Sequence, residues 1–80
     1  GEINFRVADT AASISRVAGA FAADLPEITQ LDGLSMAFEE WRFNLRGSNT
    51  EPLLRLNVES RGNPDLVSAM TGRIGSLIAE

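Results

Sequence analysis

The chain has 80 residues, 44% of them hydrophobic, and its 7 arginines and 11 acidic residues give a formal net charge of −4. This length predicts one small domain, and the acidic balance argues against a nucleic-acid partner, which usually requires a concentrated positive patch. The absence of cysteine and histidine excludes disulfides, cysteine-based metal sites and most histidine-dependent enzyme mechanisms, and it favours a reducing cytoplasm. No run approaches the roughly 20 apolar residues that a bilayer crossing needs, so no membrane association is expected.

The N-terminal third predicts a strand followed by a helix. Residues 2–7 alternate apolar and polar side chains, which is typical of a half-buried strand. Asp9 is placed to cap a helix that extends to about Ala23, and the apolar residues of this helix recur at helical spacing. That spacing predicts that Arg16 lies on the solvent side.

The next segment predicts a tight hairpin. A strand is expected over residues 27–31, and Asp32-Gly33 favours a two-residue type I′ turn, which needs positive φ at both positions. Such a turn places Leu31 opposite Leu34. Ile28 is out of phase with Leu31, so its side of the sheet stays open.

Two further strands follow a second tight turn. The turn at Glu39-Glu40 is predicted to place Phe38 opposite Trp41. The apolar residues of these two strands, and of the strand before the turn, share one face of the predicted sheet. They are Leu34, Met36, Phe38, Trp41, Phe43, Leu45, Leu54, Leu56 and Val58.

A helix is predicted to end the chain. Asn63 provides its cap and Pro64 its first residue, a position that proline favours. Gly72 and Gly75 predict that its last turns fray. The order is strand, helix, four strands, helix, so the expected fold class is α+β, a mainly antiparallel sheet with both helices on its apolar face.

One polar loop gathers groups suited to a phosphate monoester. The arginine offers a planar fork of charged donors, the glycine allows the backbone to turn, and the polar residues add hydroxyl, amide and main-chain donors. Its residues are Arg46, Gly47, Ser48, Asn49, Thr50, Glu51 and Pro52. On composition alone a solvated surface turn is the commoner explanation of such a segment.

Other charged residues have competing interpretations. Arg55 leaves the loop on the polar side of a strand, where it either forms an ion pair with Glu59 or Glu40 or supports the phosphate. Arg42 has the same two interpretations, with the surface ion pair favoured. The acidic residues show no spacing that would put two carboxylates around a reaction centre, so no catalytic residue and no metal ligand is expected in this chain.

The run from Trp41 to Gly62 closely resembles the last domain of bacterial phosphomannomutases and phosphoglucomutases in the α-D-phosphohexomutase family. Residues 1–7 and 32–41 resemble it as well, so the resemblance covers most of the chain. It implies a fold like that of the TATA-box-binding protein. In the family the loop has the pattern R-x-S-[GN]-T-E-P, which implies that Arg46, Ser48, Asn49 and Thr50 hold the substrate phosphate, with Gly47 and Arg55 in support.

The resemblance also limits what this chain can do. Asn49 in place of glycine favours the branch that acts on mannose or glucose phosphates. The phosphoserine segment, the magnesium-binding D-x-D-x-D run and the sugar-binding loop of the family do not occur in these 80 residues. The resemblance therefore implies a single C-terminal domain over residues 1–80, inactive when isolated and without a cofactor of its own. Magnesium, catalysis and the remaining domains as partners belong to a full-length mutase that interconverts hexose 1-phosphate and hexose 6-phosphate.

An alternative from another class stays open. The chain could be a free-standing module that binds an anionic partner and is not part of an enzyme. The chain starts without Met and directly in a predicted strand. The sequence upstream of Gly1 would separate this alternative from a mutase domain.

Overall fold

The structure is a computed structural model that describes residues 2–24, 26–30, 33–48 and 51–79. In these ranges the chain forms a five-stranded antiparallel sheet and two α-helices. The elements in chain order are β1 (Glu2–Arg6), α1 (Thr10–Phe21), a 3₁₀ turn (Ala22–Asp24), β2 (Glu27–Thr29), β3 (Leu34–Ala37), β4 (Trp41–Gly47), β5 (Leu53–Ser60) and α2 (Pro64–Ala79). The predicted α+β class and element order are confirmed.

The core lies between the two helices and one face of the sheet. The strands follow the spatial order β1-β5-β4-β3-β2. β4 and β5 are therefore neighbours inside the sheet, and β1 is the edge strand next to β5. The buried apolar side chains are Val17, Phe21, Leu34, Met36, Phe43, Leu45, Leu54, Leu56, Val58, Ile74 and Ile78. All of the strand residues in this core belong to the predicted apolar face, because alternation along each strand separates the two faces.

An aromatic cluster joins α1 to the sheet. The ring of Phe21 lies 5.6 Å, between ring centroids, from each of Phe38, Trp41 and Phe43. Phe38 stacks on Trp41 at 4.4 Å, and the Phe38 amide donates to the Trp41 carbonyl at 2.8 Å. This hydrogen bond closes the turn at Glu39-Glu40, so the predicted second hairpin is confirmed.

The register of the β2–β3 hairpin differs from the prediction. Thr29 lies opposite Ser35 and Ile28 lies opposite Met36. A two-residue turn would have placed Thr29 opposite Met36, so the predicted register is wrong by one residue. Because a one-residue shift moves every side chain to the other face, the observed register puts Ile28 on the helix-covered side with Met36.

Two details predicted for this hairpin fall outside the described residues. They are the pairing of Leu31 with Leu34 and the backbone conformation of Asp32. The next residue, Gly33, has a φ of 78°. This value is in the left-handed region that the turn prediction required of the glycine.

Both predicted helix caps are present. The Asp9 carboxylate accepts a hydrogen bond from the Ala12 amide at 3.1 Å, and the Asn63 side chain accepts one from the Leu66 amide at 3.1 Å. Each bond satisfies an amide that has no partner within its own helix. Neither helix of the described chain has the length and apolar character that a membrane span needs.

Arg16 does not lie on the solvent side, and this prediction is wrong. Its side chain is half-buried between the helices, where Nε donates to the Leu77 carbonyl at 2.7 Å and Nη2 donates to the Ile78 carbonyl at 3.1 Å. The last carbonyls of a helix have no partners within it, and the helix dipole favours a positive charge there. Arg16 therefore caps the C-terminal end of α2.

The predicted fraying of α2 is also wrong, because the helix continues to Ala79 with Ile78 buried. Gly75 faces the ring of Phe5, and a Cβ added at Gly75 would lie 3.4 Å from that ring. This is an ordinary packing distance, so Gly75 lies against β1 in the tertiary structure. This tertiary contact offsets the low helix propensity that motivated the prediction.

We predict that Arg16→Ala lowers the free energy of unfolding by about 1.5–3 kcal/mol, because charge-assisted bonds to the last carbonyls of α2 are lost. Thermal unfolding would measure this as a fall in Tm. Arg42→Ala is the matched control, since it removes an arginine whose ion pair is exposed and should cost less than about 1 kcal/mol. Equal Tm values for the two variants would contradict the capping role of Arg16.

Candidate anion-binding site

The face of the sheet away from the helices is polar. Successive residues of a strand point to opposite faces, so the buried residues of β4 and β5 alternate with outward-facing ones. The outward-facing residues of these two strands are Arg42, Asn44, Arg46, Leu53, Arg55, Asn57 and Glu59. These two strands place three of the seven arginines of the chain on this face, and Arg6 of β1, which lies opposite Leu53, adds a fourth.

Arg46 and Arg55 lie directly opposite each other across β4 and β5. Opposed residues of an antiparallel pair have Cβ atoms about 4.5–5.5 Å apart, and like charges in that position are destabilising. Both side chains are half-buried, and Arg55 Nε is buried without a hydrogen-bond partner among the described residues. A buried charged donor without an acceptor is costly, so this pair favours an anion between or beside the two guanidinium groups.

Glu2 places a negative charge beside Arg46. Its Oε2 lies 3.6 Å from Arg46 Nη2, and the two side chains are 43% and 39% exposed. Sequence analysis missed Glu2, which is 44 positions away along the chain. The alternation of β1 predicted a strand, but the signal that would have found Glu2 is the pairing of β1 with β5, which the local pattern does not contain.

The loop after β4 is closed by main-chain hydrogen bonds. The Ser48 amide donates to the Leu53 carbonyl at 3.0 Å, and the Leu53 amide donates to the Glu51 carbonyl at 2.8 Å. The Pro52 carbonyl accepts from the Val7 amide at 2.9 Å, which ties the loop to the end of β1. Because its main-chain N–H is engaged, any contact from Ser48 to an anion would come from its hydroxyl, and not from the amide that the sequence analysis also counted.

The remaining loop residues are placed less completely. Asn49 and Thr50 lie outside the described residues. Gly47 is the last residue of β4 and is exposed. A Cβ added at Gly47 would lie 3.8 Å from Thr10 Cβ, an ordinary contact with the start of α1. The described surroundings of Gly47 therefore do not require a glycine on steric grounds.

The two competing interpretations of Arg42 and Arg55 are separated by the observed contacts. Arg42 Nη2 lies 2.9 Å from Glu59 Oε2, so the ion-pair interpretation of Arg42 is confirmed. Both partners are more than half exposed, and such pairs contribute at most about 1 kcal/mol. Of the two interpretations of Arg55, the ion pair with Glu59 or Glu40 is not formed among the described residues, where Glu59 pairs with Arg42.

Within the described ranges, no three acidic side chains come together as a metal site would require. The family resemblance implies magnesium only in other domains of a full-length mutase. Divalent cations of this kind prefer several oxygen ligands, whereas this end of the sheet presents guanidinium groups.

Comparison with known proteins assigns the family. Residues 2–74 match the family model described as phosphoglucomutase/phosphomannomutase, C-terminal domain. The match includes all five strands and most of α2. The chain therefore belongs to this family of C-terminal domains.

Curated relatives agree with this assignment. A phosphomannomutase of Salmonella montevideo is 55% identical over 78 residues, which are 98% of this chain and 17% of that protein. Phosphohexose mutases of Xanthomonas campestris pv. campestris (strain B100) are 51% identical over 78 residues, which are again 98% of this chain and 17% of the relative. A phosphomannomutase of Escherichia coli (strain K12) is 48% identical over 80 residues, which are 100% of this chain and 18% of that protein. The chain thus spans about a sixth of the length of these relatives.

We predict that Glu2→Gln raises the affinity of the 80-residue chain for inorganic phosphate by a few-fold, because Glu2 is the carboxylate that competes for Arg46. Titration at low salt would measure the change in Kd, and Glu59→Gln, which removes a carboxylate facing Arg42, is the matched control. An unchanged or weaker affinity in Glu2→Gln would contradict an anion site at Arg46.

Proposed function

We propose that this chain is the substrate-phosphate-binding C-terminal domain of a phosphohexomutase, a longer protein that interconverts hexose 1-phosphates and hexose 6-phosphates. The observation that carries the proposal is the opposed pair Arg46 and Arg55 at the loop expected to hold phosphate, where Arg55 Nε is buried and has no hydrogen-bond partner among the described residues. Membership of the family and the mutase names of the relatives support the same function.

The chemistry of the proposed site follows from its donors. A guanidinium group presents parallel N–H donors that match two oxygens of a phosphate, and such charge-assisted bonds are stronger than neutral ones. In the proposal Arg46 makes the principal contact and the charge of Arg55, opposite it, supports the binding of the phosphate. The hydroxyl of Ser48 and the donors of Asn49 and Thr50 complete the set.

A site of this kind holds the phosphate and does not read the sugar. In the proposal its donors bind only the phosphate group, so the same loop can accept a phosphate on either end of a hexose. This property suits a reaction in which the phosphate moves between the 1- and 6-positions, because the intermediate must turn around between two steps. Closure and opening of a terminal domain would assist that reorientation.

The proposal leaves catalysis to the rest of the protein. The chain lacks the phosphoserine, metal-binding and sugar-binding segments of the family, so the isolated domain is expected to be inactive. Its proposed partners are mannose or glucose phosphates and the other domains of the parent enzyme, in which magnesium would act. A cytoplasmic location is part of the same proposal.

We predict that Arg46→Ala in the full-length protein lowers kcat/KM for glucose 1-phosphate or mannose 1-phosphate by about 10- to 100-fold. The reason is the loss of a charge-assisted contact worth roughly 1.5–3 kcal/mol. Steady-state kinetics would measure the change, with KM raised.

The matched control is Arg42→Ala, which removes an arginine from the same face and strand. It should leave kcat/KM within about twofold, since Arg42 is paired with Glu59 in solvent. If both variants behaved as wild type, Arg46 would not belong to the substrate site.

A further inference from the structure

Gly33 lies against the backbone of Arg46. A Cβ built on Gly33 would be 2.6 Å from Arg46 Cβ, 2.6 Å from the Leu45 carbonyl oxygen and 2.8 Å from Arg46 Cα. Carbon atoms in van der Waals contact are about 3.5–4.0 Å apart, so a side chain does not fit at this position. None of the three atoms is at the end of a flexible side chain, and relief would therefore require the backbone of β4 to move.

The position of Gly33 follows from the register of the sheet. Leu34 is the first residue of β3 and lies opposite Leu45 of β4. The preceding residue, Gly33, therefore comes beside Arg46, on the opposite side from Arg55, which pairs with Arg46 from β5. Arg46 is thus held between a strand residue of like charge, Arg55, and a glycine, which has no side chain.

We infer that Gly33 is a positioning residue for the anion site, because its missing side chain allows β4 to hold Arg46 at the place where it lies opposite Arg55. The inference rests on the proposed function. A side chain at position 33 displaces Arg46 and Leu45, and the two guanidinium groups no longer converge on one phosphate. The sequence analysis assigned Gly33 only a turn conformation, which is a separate requirement.

The chain contains a matched control for that separate requirement. Gly62, which precedes the cap of α2, has a φ of 71°, close to the 78° of Gly33. A Cβ added at Gly62 would meet no atom within 4 Å. Substitution at either glycine strains the backbone to a similar degree, whereas only substitution at Gly33 also collides with the site.

The test uses the 80-residue chain and four variants, Gly33→Ala, Gly33→Asn, Gly62→Ala and Gly62→Asn. Asparagine tolerates positive φ better than alanine does, so the asparagine variants reduce the strain and keep the collision. NMR chemical shifts of the Leu45 and Arg46 amides, measured without ligand, report the displacement of β4. Titration with inorganic phosphate gives the Kd. Wild type and Arg46→Ala are measured alongside.

We expect both Gly33 variants to move the Leu45 and Arg46 resonances and to weaken phosphate binding about tenfold or more, as the loss of a well-placed charge-assisted contact implies. The Gly62 variants should lose less stability, because they add strain without the collision, and they should keep the wild-type Kd within about twofold. Gly33 variants that are folded and bind phosphate as wild type does would overturn the inference and leave the proposed function intact.

Two other outcomes are also decisive. If neither Gly33 variant folds while both Gly62 variants do, the inference is overturned, because Gly33 then serves the fold and not the site. If wild type and Arg46→Ala bind phosphate equally, the proposed function fails and the inference fails with it.

Discussion

The register between β4 and β5 is the constraint on which the rest of the structure depends. Seven consecutive pairs, from Trp41 opposite Ser60 to Gly47 opposite Leu54, fix which side chains are buried. The apolar side chains of both strands face the helices, so Arg46 and Arg55 must face away and must oppose each other. A slip of one residue would bury the arginines and expose the core residues, at a cost of several buried side chains. The hydrophobic effect thus maintains a pair of like charges that electrostatics alone would separate.

Local patterns were sufficient to predict most of the fold. The alternation of Phe43 and Leu45, the Asn63-Pro64 start of α2 and the Glu39-Glu40 turn each depend on residues close in sequence. The errors concern features that depend on distant contacts. The β2–β3 register pairs Ile28 with Met36 although Ile28 stays 50% exposed, so burial of β2 offered no local signal for it, and the environment of Arg16 is set by the end of α2, 61 positions later in the sequence.

The candidate site also combines features that the local sequence predicts with features that depend on distant contacts. The outward direction of Arg46 and Arg55 follows from strand alternation, and the family resemblance directed attention to their loop. The contacts of Glu2 and Gly33 with Arg46 could not be predicted, because Glu2 comes from the edge strand beside β5 and Gly33 from the turn beside β4. Both act on Arg46 through sheet order, which no local pattern contains. Asn49 and Thr50 remain expectations from the resemblance.

The most direct test of the central claim, that the loop end of the β4–β5 pair binds phosphate, is an amide-shift titration of the 80-residue chain with glucose 1-phosphate. Binding is expected on the order of millimolar, because a few charge-assisted hydrogen bonds must offset association entropy. The account predicts that the amides of residues 46–50 and the Arg55 side-chain Nε–H shift first, that glucose has no effect and that added salt weakens the response. Shifts that glucose produces equally, or that centre on α1 and α2 while this loop is unchanged, would contradict it.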